Sequence, residues 1–188
     1  MDGTPGAEKA ARMRKDFDHG FSLPAREGSP ESEDLLAVRL YGDGYALRVG
    51  EITGVSAGRK ILPLPGAGAA LLGLAGIRGV LVPVWDPAAL LGYPSARREP
   101  RWLVTASGEA PWALAFEEFD GYFRVPKSEF HRAPPAGRPP AGMAAGASAR
   151  EALASEACMA GGAMRRVIHL AEALKAVQAI IQSRKKEG

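Results

Sequence analysis

A succession of short β-prone stretches, separated by glycine and proline, constrains this fold more than any other feature of the sequence. LLAVRLY (35–41) and YALRV (45–49) alternate apolar with other side chains, and the GDG between them (42–44) predicts a hairpin with one buried face. Similar β-prone composition recurs in ITGV (52–55), VLVPVWD (80–86), RWLVTA (101–106), PWALAF (111–116), EFDGYFRV (118–125) and MRRVIHL (164–170). Many short strands with few helices favour a mainly β fold built of barrels over a sandwich of long strands or a βαβ fold.

Two apolar segments between these strands are predicted not to be strands. Pro63 and Pro65 cannot donate hydrogen bonds to a ladder, so ILPLPG (61–66) is expected to be an extended loop. The segment AGAALLGLAG (67–76) is expected to form a short apolar turn or helix that leads into the next strand.

Two helices are predicted. Asp86 before Pro87 is typical of an N-cap and first residue, and Gly92 is expected to close this short helix. The chain ends in an amphipathic pattern with 3.6-residue periodicity. One face of that C-terminal helix carries Leu170, Leu174, Val177 and Ile181.

The composition predicts the domain organisation. Residues 1–33 are rich in Gly, Pro, Ser and charge, so we expect a disordered N-terminal arm. The folded domain is predicted to span 34–182, with a Pro/Gly/Ala-rich low-complexity insertion at 133–156. Residues 183–188 are predicted to be a basic tail.

Charge and targeting signals limit the partners. The formal net charge is +3, with the basic excess at the C-terminus in Arg184, Lys185 and Lys186. Such a cluster is usually a solvated helix end, and without interleaved aromatic residues we expect no nucleic-acid binding; a nucleic-acid module remains the alternative. No apolar run is long enough to span a bilayer and the N-terminus lacks a signal-peptide core, so a cytoplasmic protein without membrane insertion is expected.

The residues that could do chemistry are few. Cys158 is the single cysteine, and its pairing with His169 is the one candidate for a nucleophile and base, although a buried structural thiol is the favoured interpretation. The acids Glu117, Glu118 and Asp120 are expected to form a solvated corner, with an acid/base pair as the alternative. No zinc-ligand spacing, phosphate-binding loop or serine elbow is present. We therefore predict no enzyme activity, no catalytic residues, no metal and no cofactor.

The turn within GIRGVLVPVWD (76–86) contains an arginine between apolar stretches. Gly79 can take a positive φ that Arg78 could adopt only at a cost, and Pro83 indicates a strand edge or a bulge within a strand buried on both faces. Arg78 is expected either to bond a carbonyl or an acid such as Asp86, or to contact a partner; one guanidinium can do both.

The order of these motifs resembles the CheW-like domain family of bacterial chemosensory systems. The similarity is carried by YALRVGEITGV (45–55), by ILPLPGAGAALLGLAGIRGVLVPVWDPAALLG (61–92) and by PWALAFEEFDGYFRVPKSEF (111–130). The resemblance implies two small SH3-like β-barrels packed around a shared core. It also implies a non-catalytic adaptor that couples the cytoplasmic tip of a methyl-accepting chemoreceptor to the regulatory domain of a CheA-type histidine kinase.

The resemblance also implies two partner surfaces. The kinase-facing residues would be Ile52, Gly54 and Val55, although Ile52 and Val55 are ordinary core residues in the alternative interpretation. The receptor-facing groove would lie around the Arg-Gly turn and would contain Arg78, Leu72, Leu74 and Ile77.

The sequence departs from the family pattern near both surfaces. Gly76 stands where the family usually has Asn, Pro87 where it has Leu, and Thr53 and Gly54 where acidic residues are common. The alternative function is therefore a diverged family member that binds a kinase or another partner without receptor coupling, as a pathway insulator or specialised regulator.

Overall fold

The computed structural model describes residues 31–66, 68–93, 100–106, 108, 110–135 and 146–187. The chain divides into two units, Met1–Glu31 and Ser32–Gly188. Apart from Glu31 and the neighbouring residues at the domain start, the predicted N-terminal arm lies outside the described residues, as does 136–145 of the predicted insertion. The description below concerns the second unit.

Twelve strands and three helices make up the described part of this unit. The strands are β1 (Ser32–Leu40), β2 (Asp43–Arg48), β3 (Ile52–Ala57), β4 (Ile61–Leu62), β5 (Leu71–Ile77), β6 (Val80–Trp85), β7 (Trp102–Ala106), β8 (Trp112–Phe116), β9 (Glu118–Pro126), β10 (His131–Arg132), β11 (Glu156–Ala160) and β12 (Ala163–Ile168). The helices are α1 (Pro87–Leu90), α2 (Gly146–Leu153) and α3 (Leu170–Glu187), with single 3-10 turns at Val49–Glu51 and Lys127–Glu129.

The strands form two six-stranded sheets that confirm the predicted pair of SH3-like barrels. The first has the order β10-β11-β12-β2-β1-β9 and the second the order β3-β7-β8-β6-β5-β4. Each sheet has one parallel pair, β12 with β2 and β6 with β8, and its other pairs are antiparallel. The two orders match when β1 is paired with β7 and β12 with β6, although the strands equivalent to β9–β12 come before β7 in the chain.

Both barrels contribute to one shared core. β1 sends Leu36 and Val38 into the largest apolar cluster, where they join Val104 and Phe116 from the second barrel. The opposite face of β1 places Leu35 in the interior of the first barrel. The β1–β2 hairpin is therefore buried on both faces, and the prediction of one buried face was wrong. Each fully buried large side chain of this kind contributes about 1.5–3 kcal/mol.

The segment 67–76 was predicted to be a turn or helix, but most of it is strand. β5 pairs with β6 on one side and with the two-residue edge strand β4 on the other. Gly73 makes this possible, because a Cβ on it would lie 2.1 Å from the Leu62 carbonyl oxygen, and its φ is +145°. Because residue 73 has no side chain, β4 can approach β5 closely enough to pair with it.

Pro83 lies within β6, where the strand changes neighbours. It pairs with Leu74 on β5, while the pairing with β8 begins one residue later, at Val84. Hydrogen-bonded and non-hydrogen-bonded pairs alternate away from the two-residue turn, and Leu74 and Pro83 form a non-hydrogen-bonded pair. The proline nitrogen therefore points away from β5, at a position where β8 does not pair with β6. The prediction that β6 is buried on both faces fails at its start, because Val80 and Leu81 are exposed.

Asp120, in the predicted acidic corner, forms ion pairs that connect β9 with β1 and β12 of the first barrel. Asp120 accepts a hydrogen bond from Arg39 Nε at 2.9 Å, and its other oxygen lies 2.7 Å from Nη1 of the buried Arg165. Burial raises the pKa of the Asp120 carboxyl, but the two arginines outweigh it and hold that pKa below its usual value. Gly44 gives Arg165 room to cross β2, since a Cβ there would lie 3.3 Å from Nη1.

The helices agree with the sequence pattern in part. Asp86 caps α1 by accepting a hydrogen bond from the Ala88 amide at 2.9 Å, as predicted. The segment 133–156 contains α2 and the first residue of β11, so it is more regular than its low-complexity composition suggests. Helix α3 continues through Glu187, so the backbone of the predicted basic tail is mostly helical. Among the described residues, no helix is long and apolar enough to cross a membrane.

Candidate partner-binding surface

The predicted kinase-facing residues lie on a strand at the edge of a sheet. β3 pairs with β7 and stands at one end of the second sheet. Val55 is 47% exposed, whereas Ile52 is partly buried against the shared core. An edge strand has backbone N–H and C=O groups that no neighbouring strand uses, and these can pair with another chain.

The structure brings the two predicted surfaces together at Gly54. An Arg78 guanidinium nitrogen lies 3.8 Å from the position that a Cβ on Gly54 would occupy. Thr105 Oγ1 donates a hydrogen bond to the Gly54 carbonyl at 3.0 Å, where the β3–β7 register shifts. Arg78 of the predicted receptor-facing set therefore lies beside the predicted kinase-facing strand.

Arg78 occupies a strained turn. Its φ is +50° and that of Gly79 is +81°, in a two-residue hairpin closed by the pair Ile77 and Val80. Positive φ at both central residues defines a type I′ turn, which for an arginine costs about 1–2 kcal/mol. Among the described residues, Arg78 has neither a hydrogen bond nor an ion pair, so the predicted pairing with Asp86 does not form. Arg78 is exposed, as are the apolar Val80 and Leu81 that follow in the chain.

The apolar residues predicted for the receptor groove are not on the surface as a group. Ile77 is 8% exposed and belongs to the interior of the second barrel, and Leu72 packs against that interior. Leu74 is partly buried. Ala75 and Ile77 lie on the inward face of β5, whereas Leu74 lies on the opposite face, so the predicted residues do not line one groove.

An apolar cleft does exist, but between the two barrels. It has a volume of about 200 Å³ and is open beside Val55, Trp102 and Phe119. The Trp102 and Phe119 rings lie 5.8 Å apart. Its other lining residues are Leu36, Val38, Val104 and Phe116.

Sequence reasoning missed Trp102 and Phe119 as residues that line the cleft. Trp102 begins the alternating RWLVTA strand and Phe119 stands among acids in EEFDGYF, positions at which an apolar side chain is equally compatible with a core. What brings them together is the packing of one barrel on the other. An exposed phenylalanine and valine beside a partly buried tryptophan in one cleft are typical of a binding site.

Cys158 and His169 do not form a nucleophile and base. The Cys158 side chain is buried in the first barrel, and burial raises the pKa of its thiol. His169 Nδ1 accepts from Arg48 Nη1 at 3.0 Å and Nε2 lies 3.3 Å from Ser155 Oγ. In the part of the chain that the structure describes, no hydrogen bond joins the thiol to the imidazole, and no cluster of His, Cys, Asp and Glu is suited to hold a metal ion.

Two packed SH3-like barrels, with an open strand edge beside an apolar cleft, define this chain as a β-barrel module suited to binding other proteins. The family model of the CheW-like domain matches residues 34–154, and the chain belongs to that family. The crystal structure of the scaffolding protein TtCheW from Thermoanaerobacter tengcongensis is similar in fold, with a TM-score of 0.59 and 14% sequence identity over 74% of this chain and 90% of that one. A comparison with curated proteins finds no match.

Proposed function

We propose that this protein is a non-catalytic scaffold of a bacterial chemosensory system. It would couple the cytoplasmic tip of a methyl-accepting chemoreceptor to a CheA-type histidine kinase, and act in the cytoplasm without membrane insertion. The observation that carries the proposal is the exposed apolar cleft of Val55, Trp102 and Phe119 beside the β3 edge in a CheW-like fold. The similar structure of TtCheW is described as that of a scaffolding protein, which supports the same role.

The β3 edge suits the regulatory domain of the kinase. A second β-barrel can extend the sheet by pairing its own edge with Ile52–Ala57, using backbone hydrogen bonds for affinity. Val55 supplies an apolar contact at the same edge. Because Ile52 also packs against the shared core, its contribution to binding is smaller than that of Val55.

The cleft suits an amphipathic helix of a receptor tip. Such a helix would insert apolar side chains between Val55, Trp102 and Phe119, where two aromatic rings offer most of the contact area. Arg78, unpaired within the described residues, would meet an acidic group of the partner at the other end of the surface.

One observation favours the alternative of a kinase-binding regulator without receptor coupling. Gly54 has no side chain to orient Arg78, so this guanidinium is not held by a carboxylate on β3. A contact that depends on a fixed arginine would then be weak, while edge pairing along β3 would be unaffected.

The experiment measures binding of the full chain to the kinase regulatory domain and, separately, to a receptor-tip fragment. Val55→Asp is the test variant, and Ile181→Asp on α3 is the matched control, because the two side chains are 47% and 45% exposed. We expect Val55→Asp to weaken one or both interactions at least tenfold, roughly the effect of losing an interface anchor, and Ile181→Asp to change neither.

The outcomes separate the candidate functions. Loss of both interactions in Val55→Asp supports the coupling scaffold. Kinase binding without any receptor binding by the wild-type chain supports the regulator instead. Binding of neither partner by the wild-type chain, or equal binding by the two variants, contradicts the proposed surface.

A further inference from the structure

The first barrel has a surface cavity that shares no lining residue with the cleft. Its volume is about 290 Å³, and it lies between β2, β12, helix α2 and the residues that follow β10. Two arginines line it, Arg150 from α2 and Arg166 from β12, together with Asp43 and Tyr45. The other lining residues are Gly44, Pro134, Pro135, Ala157 and Met164.

Arg150 is a buried cation that has no ion-pair partner among the described residues. It is 7% exposed, and its Nε donates a long hydrogen bond of 3.4 Å to the Leu91 carbonyl. Its guanidinium lies over the Tyr93 ring at 4.3 Å, while Nη2 has no hydrogen-bond partner among the described residues. No carboxylate within the described residues forms an ion pair with it. A buried guanidinium is costly unless a negative charge compensates it, and an aromatic face does so only in part.

Arg166 is fixed at the wall of the same cavity. Its Nη1 donates to the Ala154 carbonyl at 3.1 Å, and Nη2 donates to the carbonyl of Pro134. These bonds orient the guanidinium but bring no negative charge. A fixed guanidinium with further N–H groups is the side chain best suited to bind a carboxylate or phosphate.

Asp43 is the acid that faces the cavity, and it does not neutralise the two arginines. It is exposed at the rim and accepts a hydrogen bond from the Tyr93 hydroxyl, which lies 2.8 Å from that of Tyr45. Solvent screens an exposed carboxylate more than it screens the buried Arg150. The cavity therefore keeps a net positive potential, with one unit of positive charge in excess along its wall.

We propose that this cavity binds a small organic anion, a carboxylate or a phosphate monoester with a compact apolar body. The charged group lies near Arg150 and Arg166, and the apolar body rests against Met164 and Pro134. A volume just below the roughly 300 Å³ at which drug-sized sites begin suits a ligand of this small size. The site lies outside the partner-binding surface, so its test does not depend on the chemosensory assignment.

The test follows the methyl groups of ¹³C-labelled methionine in the full chain by NMR, at constant ionic strength. Phenyl phosphate and benzoate are the probes, and benzamide is the neutral control of similar shape. We expect a saturable shift of the Met164 methyl with at least one anion at roughly millimolar concentration. Met159, its cross-strand neighbour, does not line the cavity and is expected to shift less.

Variants identify the charged groups responsible. Arg166→Gln and Arg150→Met are each expected to weaken anion binding about tenfold or more, as for loss of a charge-assisted hydrogen bond. Arg124→Gln is the matched control, since Arg124 is exposed and paired with Asp34. Should Arg150→Met fail to fold, Arg166→Gln decides alone. Absence of a saturable shift, equal binding of benzamide, or unchanged affinity in Arg166→Gln overturns the proposal.

Discussion

Replacing Arg78 by asparagine is predicted to stabilise the fold and weaken partner binding at the same time. Arg78 has a φ of +50° in a two-residue turn whose second residue, Gly79, is already favourable. The left-handed conformation costs an ordinary L-residue about 1–2 kcal/mol, whereas asparagine adopts it readily and Asn-Gly is the preferred type I′ pair. Arg78 has no hydrogen bond or ion pair with any described residue, so little native interaction is lost.

The expected gain in the free energy of unfolding is about 1 kcal/mol, or about 2–4 °C in Tm for a chain of this size. Chemical denaturation and calorimetry measure it in the full chain. Arg78→Lys is the matched control, because it keeps the charge and the backbone strain and should leave stability unchanged. A less stable Arg78→Asn variant would refute the reasoning, since it would mean that the guanidinium contributes more to the fold than the strain costs.

Three further changes test other parts of the structure. Gly73→Ala should lower the free energy of unfolding by about 3 kcal/mol or more in urea denaturation, because its Cβ would meet the Leu62 carbonyl oxygen at 2.1 Å. Gly76→Ala is the control and should be nearly neutral, because there is open space around its Cβ. Equal losses of stability in the two variants would contradict the close approach at Gly73. The pKa of Asp120 is lower in the folded than in the unfolded chain, so its contribution to stability is present above the unfolded value near 3.8 and is lost as pH falls through the lower folded value. Asp120→Asn should therefore be less stable than wild type near neutral pH, and the difference should disappear in strong acid. A constant difference in stability at all pH values would contradict this role. The Cys158 thiol, buried and with a raised pKa, should react with a thiol reagent far more slowly in the native than in the urea-unfolded chain, and similar rates would contradict its burial.

Local sequence signals predicted the strands that carry strong alternation and the caps that carry specific chemistry. The Asp86 N-cap, α3 and most strands follow from side-chain pattern alone. β5 did not, because its strand state depends on contacts with β4 and β6 that only the folded barrel supplies. The hairpin turn is Tyr41–Gly42, so it begins one residue before the GDG motif that predicted it. Gly44 of that motif is instead the residue that accommodates Arg165.

The candidate site was predictable in its location along the chain and less so in its composition. The resemblance placed Gly54 and Val55 on one surface and Arg78 on another, whereas the structure places Arg78 beside Gly54; the role of each remains a proposal. Ile77 points into the barrel with Ala75, and Leu72 packs against the same interior next to the register shift between Leu71 and Gly73. Trp102 and Phe119 could not be separated from core residues by sequence, since their exposure depends on how the two barrels pack.

The most direct test of the account is a hydrogen–deuterium exchange footprint of the kinase regulatory domain on the full chain. Edge pairing and cleft binding predict protection of the β3 amides (52–57), with further protection in β7 (102–106) and the start of β9. The exposed part of α3 around Ile181 should exchange at an unchanged rate. Protection confined to α3 or to the first barrel, with β3 exchanging as in the free chain, would contradict the assignment of this surface.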